Sequence, residues 1–192
     1  MIDTPGLQAK WDNRYRANAD LPAPALVLAQ NAHLLPRQGR ALDLACGLGA
    51  NALFLAGFGL SVEAWDLSPV AIQRLSAQIG STALTVQVRD VVTQPPEPDS
   101  FDVIVVSHFL ERSLAPALSA ALHPGGLIFY QTFTREAASD SGPSNPDYRL
   151  AANELLKLFP DLLLRIYREE GRVGDLSRGC RDLALLVAQR PL

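Results

Sequence analysis

Two kinds of hydrophobic pattern alternate along this chain. Short, continuous apolar runs are followed by longer stretches in which apolar residues recur at helical spacing. The runs RALDLA (40–45), SVEAWD (61–66), ALTVQV (83–88), FDVIVVS (101–107) and LIFYQTF (127–133) read as strands. Between them, 50–58, 68–80 and 111–122 read as helices; Ser68 is the N-cap of the second and Pro69 its first helical residue. Ahead of the first strand, 11–18 and 23–34 read as helices, the latter ended by Pro36 and Gly39. His123-Pro124-Gly125-Gly126 turns the chain into the fifth strand. Residues 137–147, rich in Ser, Gly, Pro and Asp, read as a mobile loop. Asn145-Pro146 then caps a helix over 147–159, and two last strands follow near 161–169 and 182–189.

This order predicts an α/β domain with a doubly wound, mostly parallel sheet of seven strands. The last two strands have only a short connection, too short for a parallel crossover, so they form an antiparallel C-terminal pair. The 192 residues show no repeat and no dividing linker, and read as a single domain, 1–192.

Composition narrows the classes. The net charge is −3 and the isoelectric point is near 5.6, which speaks against a nucleic-acid or anionic-membrane binder. No apolar run approaches the roughly 18 residues of a membrane span, and no basic segment followed by an apolar one marks a signal peptide. Cys46 and Cys180 lie far apart, without a Cys/His cluster, so neither a metal site nor a disulfide framework is expected, and a cytoplasmic setting is.

The chemistry centres on LDLACGLGANALFLA, which begins at Leu42. In open α/β sheets ligands bind beyond the carboxyl ends of the strands, where Cys46-Gly47-Leu48-Gly49 falls. Gly47 and Gly49 allow close backbone approach. Gly47-x-Gly49-x-x-Ala52 also passes for a dinucleotide fingerprint, and a plain tight turn has the same spacing. Three acids change the balance. Asp43 inside the first strand would repel a pyrophosphate but suits an ammonium group. Asp66 ends the second strand about 20 residues beyond the loop, where an acid accepts from ribose hydroxyls. Asp90 follows the third strand, where it could accept from an adenine amine. An adenosine at one end, an ammonium at the other and no phosphate describe S-adenosylmethionine.

The segments LDLACGLGANALFLA, VEAWDLSPVAI, VRDVV, FDVIVVSHFLE and LHPGGLIFYQTF together resemble the class I S-adenosylmethionine-dependent methyltransferases, over about residues 40 to 133. Within that family the chain is most similar to small bacterial methyltransferases of the tellurite-resistance type. The resemblance implies a Rossmann-like fold, S-adenosylmethionine as cofactor and S-adenosylhomocysteine as product. It implies that Asp43 orients the ammonium, that Asp66 binds the ribose, that Leu67 packs on the adenine, and that Asp90 and the Val91 N–H meet its edge. WDNRY resembles the family's entry helix, within a cofactor-covering segment 1–20. Trp11, Arg14 and Tyr15 share one face of it; they either cover the cofactor, with Arg14 on its carboxylate, or staple the N-terminus. The family's loop usually begins with Gly where this chain has Ala45, which fits if its φ is negative.

Ser107 and His108 follow the fourth strand and face the site. His108 is the candidate catalytic group, able to orient a substrate or take a proton, and a structural histidine is the alternative. His123 reads as structural. Thr134, Arg135, Tyr148 and Arg149, flanking the 134–149 loop, and Arg181 are candidates for substrate binding, against a charged surface loop. The segment SHFL is not the Asn/Asp-Pro-Pro-aromatic motif of methylases acting on planar amines. A small-molecule acceptor is therefore expected, and the resemblance suggests a metalloid or thiol. A non-catalytic S-adenosylmethionine binder and, less favoured, an NAD(P)-dependent oxidoreductase are the competing readings.

Overall fold

In the computed structural model, which describes residues 4–17 and 20–192, the expected apolar runs form one seven-stranded sheet. Its strands are β1 (Arg40–Leu44), β2 (Ser61–Asp66), β3 (Leu84–Val88), β4 (Phe101–Ser107), β5 (Leu122–Phe133), β6 (Leu163–Glu169) and β7 (Leu183–Gln189). The order is β3-β2-β1-β4-β5-β7-β6. The first five strands are parallel, and β7 runs antiparallel to both β5 and β6. The order reverses between β1 and β4, so their carboxyl ends open the crevice where such sheets take ligands.

Helices cover both faces: α1 (Thr4–Ala17), α2 (Leu26–Ala29), α3 (Ala50–Gly57), α4 (Pro69–Ser76), α5 (Ala115–Ala121) and α6 (Glu154–Leu158). The period-2 geometry of β1 and β4 sends alternate residues into two cores. Leu42, Leu44, Ile104 and Val106 pack with α5 and α6. Ala41, Val103 and Val105 pack with α2, α3 and α4. Strands buried on both faces are what continuous apolar runs specify. Among the described residues no helix is long and apolar enough to cross a membrane.

Several expected helices are shorter. The one over 23–34 breaks into α2 and a 3-10 turn at Ala32–Leu34, because the Asn31 amide takes the Val27 carbonyl at 2.9 Å and competes with the helical ladder. The one over 147–159 becomes a 3-10 turn at Pro146–Tyr148, an extended stretch and then α6. Leu150 there joins the sheet end: its N–H donates to the Phe133 carbonyl and its carbonyl accepts from Arg135 N–H, both at 2.8 Å. The sheet begins β5 earlier than expected, at Leu122. The Pro-Gly-Gly residues sit in an irregularity between the pairs Phe101–Leu122 and Val103–Leu127. In the other direction α1 extends the expected 11–18 helix back to Thr4; of the covering segment 1–20, residues 1–3 and 18–19 lie outside the described residues.

Candidate active site

The glycine loop departs from β1 through three consecutive reversals. Ala45 has φ +55°, Gly47 +55° and Gly49 +81°. The condition under which an alanine fits this position, a negative φ, is therefore not met: Ala45 holds a left-handed conformation that disfavours a Cβ by about 1–2 kcal/mol. The loop forces it, because Cys46 N–H must reach the Trp65 carbonyl of β2, at 2.9 Å, to stay paired with the sheet. Ala45→Gly should stabilise the fold by about 0.5–1 kcal/mol, since the strain relieved exceeds the unfolded-state entropy that glycine adds. The urea midpoint should rise with the slope unchanged.

Two buried acids flank this loop. Asp43 is fully buried in β1 and accepts from Ala52 N–H at 3.0 Å and from the Asn51 amide at 3.4 Å. Asn51 also donates to Ser107 Oγ at 3.0 Å and accepts from Ala25 N–H at 2.8 Å, tying β1, β4 and α2 together. Asp43 thus caps the first turn of α3, just beyond the loop, through Ala52 N–H. Asp66 ends β2 with both oxygens engaged, one by Gly47 N–H and one by Ser68 N–H, each at 2.8 Å. Ser68 meanwhile caps α4 through Ala71 N–H, 3.2 Å, and donates its hydroxyl to Asp12 of α1. Burial pushes the Asp43 carboxyl up to about 7, with the Asp66 charge adding to it. Asp66 is raised as well, by burial first, against the pull of its N–H donors, and then by Asp12. Among the described residues no group of three or more His, Cys, Asp or Glu could hold a metal ion.

The helix α1 lies over the loop. The Tyr15 hydroxyl is close enough to Gly47 that a Cβ there would come within 2.9 Å of it. Trp11 stacks on Tyr15 with ring centroids 5.9 Å apart, and the Arg14 guanidinium lies 5.3 Å over Trp11. Burial pushes the Tyr15 phenol up, and Asp66, Cys46 and Asp43 add to it. The helix is thus stapled to the domain over the glycine loop.

At the carboxyl end of β4, His108 adopts φ +55° and lies against Phe133, ring centroids 5.0 Å apart and planes tilted by 38°. Burial against its neighbours lowers its pKa, and so does the charge of Arg14 across the crevice. Its partner is Gln131 of β5, a buried residue that the sequence reading passed over. Asp12 and Asn51 were passed over too. A polar residue inside an apolar strand or helix, as in LIFYQTF and ANALFLAG, is the signal that could have found two of these three residues, Gln131 and Asn51.

The remaining candidates separate. Leu67 is half-buried just after β2, and Val91 is buried in the same core cluster as Trp65. Asp90 closes a turn on Val92 N–H at 3.0 Å and leaves its second oxygen without a partner in that turn. Arg181 donates within its own loop, to the carbonyls of Gly171, Asp175 and Arg178 at 2.6–2.9 Å. Arg149 donates to the carbonyls of Ser141, Pro143 and Thr134 at 2.6–3.0 Å. On the other side, Asp182 accepts from the N–H groups of Ala138 and Ser139 and from the Ser139 hydroxyl. The loop expected to be mobile is therefore clamped at both ends. Arg135 is exposed and reaches the Pro146 carbonyl at 3.3 Å, while Tyr148 is half exposed. Thr134 is buried, and among the described residues its hydroxyl has no hydrogen-bond partner. His123 pairs with Asp102 at 3.0 Å at the opposite end of the sheet.

A family model described as a methyltransferase domain matches residues 11–169. The chain is 30% identical over 157 residues to the ubiquinone biosynthesis O-methyltransferase of Thiobacillus denitrificans, a match covering 76% of this chain and 64% of that protein. It is 30% identical over 117 residues to the protein of the same name from Burkholderia multivorans, covering 57% of this chain and 50% of that one. The chain thus spans about half the length of the Burkholderia relatives it matches. Among solved structures, TehB from Haemophilus influenzae aligns with a TM-score of 0.73 at 20% identity, over 94% of this chain and 67% of that one. An S-adenosylmethionine-dependent methyltransferase from Mesorhizobium loti aligns with a TM-score of 0.70 at 21% identity, over 86% of this chain and 98% of that one. At such identities the structural likeness speaks for the fold.

Proposed function

The chain belongs to the methyltransferase domain family, of the class I S-adenosylmethionine-dependent kind, and on that premise we propose that it methylates a small-molecule acceptor. The observation that carries the reading is the pair of buried acids, Asp43 and Asp66, on either side of a loop whose two glycines bring backbone to the crevice. A dinucleotide's phosphates would meet repulsion there; a ligand with a cationic amino-acid end and a ribose relieves it.

In this reading Asp43 holds the ammonium, Asp66 the ribose, Leu67 the adenine face, and Asp90 with Val91 N–H the adenine edge. Gly47 and Gly49 let the loop approach the methionyl chain, and Trp11, Arg14 and Tyr15 close over it. The cofactor supplies a methyl group on a positively charged sulfur, a leaving group already activated. What remains for the protein is to align the acceptor and exclude water, and α1 is placed for the second task. The acceptor offers an oxygen, sulfur or metalloid lone pair. The acidic chain and the absence of an Asn/Asp-Pro-Pro-aromatic segment after β4 favour this over nucleic acid.

Calorimetric titration with S-adenosylhomocysteine, NAD and NADP tests the cofactor. Micromolar binding of the first, about −8 kcal/mol, with silence from the others supports the reading; binding of NADP alone overturns it. Turnover of catechol, a thiol and tellurite with S-adenosylmethionine then tests the acceptor.

The Asp43 environment adds a pH signature. Its carboxyl stands near 7 in the folded protein, and an ammonium ligand binds the ionised form. Affinity should rise with pH and level off above about 7, being about tenfold weaker at pH 6 than at pH 8. Binding below pH 7 should release a proton, read from titrations in buffers of different ionisation heat. An affinity flat from pH 6 to 8 would remove Asp43 from the ammonium site.

A further inference from the structure

Gln131 is 2% exposed in the middle of an apolar strand, and a buried amide must place both of its ends. Its Oε1 accepts from Val27 N–H at 3.0 Å, one of the donors that the first turn of α2 leaves without a helical partner. That contact fixes the amide's orientation, since the flipped amide would set N–H against N–H. The Nε2 end is thereby turned to His108, with 3.4 Å between Gln131 Nε2 and His108 Nε2. Two nitrogens make a hydrogen bond only if one offers a lone pair. The amide nitrogen is a donor, so His108 Nε2 must be the acceptor and the ring proton sits on Nδ1. Gln131 grips the same residue a second time, its carbonyl accepting from His108 N–H at 2.8 Å. That bond holds the left-handed backbone at His108, and Phe133 backs the ring.

We propose that Gln131 is a positioning residue that locks His108 as its Nδ1–H tautomer, so that the imidazole meets the methyl acceptor as a hydrogen-bond donor and not as a base. The role rests on the methyl-transfer reading; the tautomer does not. With Nε2 occupied and Nδ1 protonated, His108 has no nitrogen left to take a proton. An acceptor that suits this site brings its lone pair already free, as an anion or a deprotonated heteroatom, and any proton it had is lost to solvent before the displacement. Asn51, Ser107 and Gln131 thus form one shelf at the switch point, with the amide of Asn51 orienting Ser107 as that of Gln131 orients His108.

The test is nitrogen NMR of protein labelled at its three histidines, with the His108→Phe protein identifying the signal. Long-range proton–nitrogen correlations tell the two tautomers apart in the protein alone, without cofactor or acceptor. Wild type should show a protonated Nδ1 and an unprotonated Nε2 at His108. In Gln131→Glu the near-isosteric carboxylate accepts instead, and the pattern should reverse to Nε2–H. A wild-type His108 with Nε2 protonated, or a Gln131→Glu spectrum unchanged from wild type, overturns the proposal. The wild-type spectrum decides even if the variant fails to fold. Failure of the methyl-transfer reading is seen separately, in the S-adenosylhomocysteine titration, which does not depend on the tautomer.

Discussion

Asp66→Ala should cost the protein both its cofactor and part of its stability. The carboxylate is 5% exposed and takes Gly47 N–H and Ser68 N–H at 2.8 Å each. Alanine leaves both buried donors without an acceptor, at about 1–3 kcal/mol each. Relief of repulsion from Asp12 returns a fraction of this, so a net loss of about 2–4 kcal/mol is expected in urea unfolding. On the proposed binding role, two charge-assisted hydrogen bonds to ribose vanish as well, and S-adenosylhomocysteine should bind at least about 30-fold more weakly, roughly 2 kcal/mol. Asp66→Asn separates the effects poorly, because its amide would turn a donor toward one of the two N–H groups. A variant that binds the ligand as wild type does would leave Asp66 with only its loop-tying role.

Gly49→Ala should be the most damaging small substitution in the loop. Gly49 caps α3 with φ +81°, and a Cβ there would lie 2.3 and 2.4 Å from the two methyl carbons of Leu75. Leu75 is fully buried in α4 and belongs to the core on that face of the sheet, so its movement must displace other core side chains. Backbone strain of about 1–2 kcal/mol adds to overpacking of about 1–3 kcal/mol, so a loss of about 2–5 kcal/mol is expected. Leu75→Ala should be less harmful in the Gly49→Ala background than in wild type, because the two changes share one volume. Gly57→Ala is the control. It sits in α3 without a positive φ, and a Cβ meets nothing within 4 Å; it should be neutral or stabilising by up to about 1 kcal/mol. Equal effects at the two glycines would refute the packing argument.

The sequence read most clearly where structure is decided locally. Strands 61–66 and 101–107 have the bounds expected of them, because continuous apolar runs between turn residues have few other uses. The places of Asp43 and Asp66 beside the glycine loop were legible, because β1 and β2 form where their apolar runs predict. What escaped is settled by distant partners. Nothing near Ala45 announces its positive φ, which follows from pairing Cys46 with Trp65 in another strand. Residues 147–159 have a helical pattern, yet Arg112 draws that segment out by taking the Asp147 and Arg149 carbonyls at 2.6 and 3.0 Å. The contacts of Arg181 were not legible either, because a sequence does not reveal which carbonyls a guanidinium will find.

The clamps on the loop after β5 bear on how such a domain changes its chemistry over time. Arg149 grips carbonyls, which every residue carries, and Asp182 grips backbone N–H groups, which every residue except proline carries. Apart from Ser139, Gly142 and Asn145, whose own side chains or conformation serve the turn, the residues between the clamps are relieved of holding its path. That stretch behaves as an exchangeable cassette: its side chains can be rewritten, by drift or by design, while the route of the backbone past the crevice is inherited unchanged.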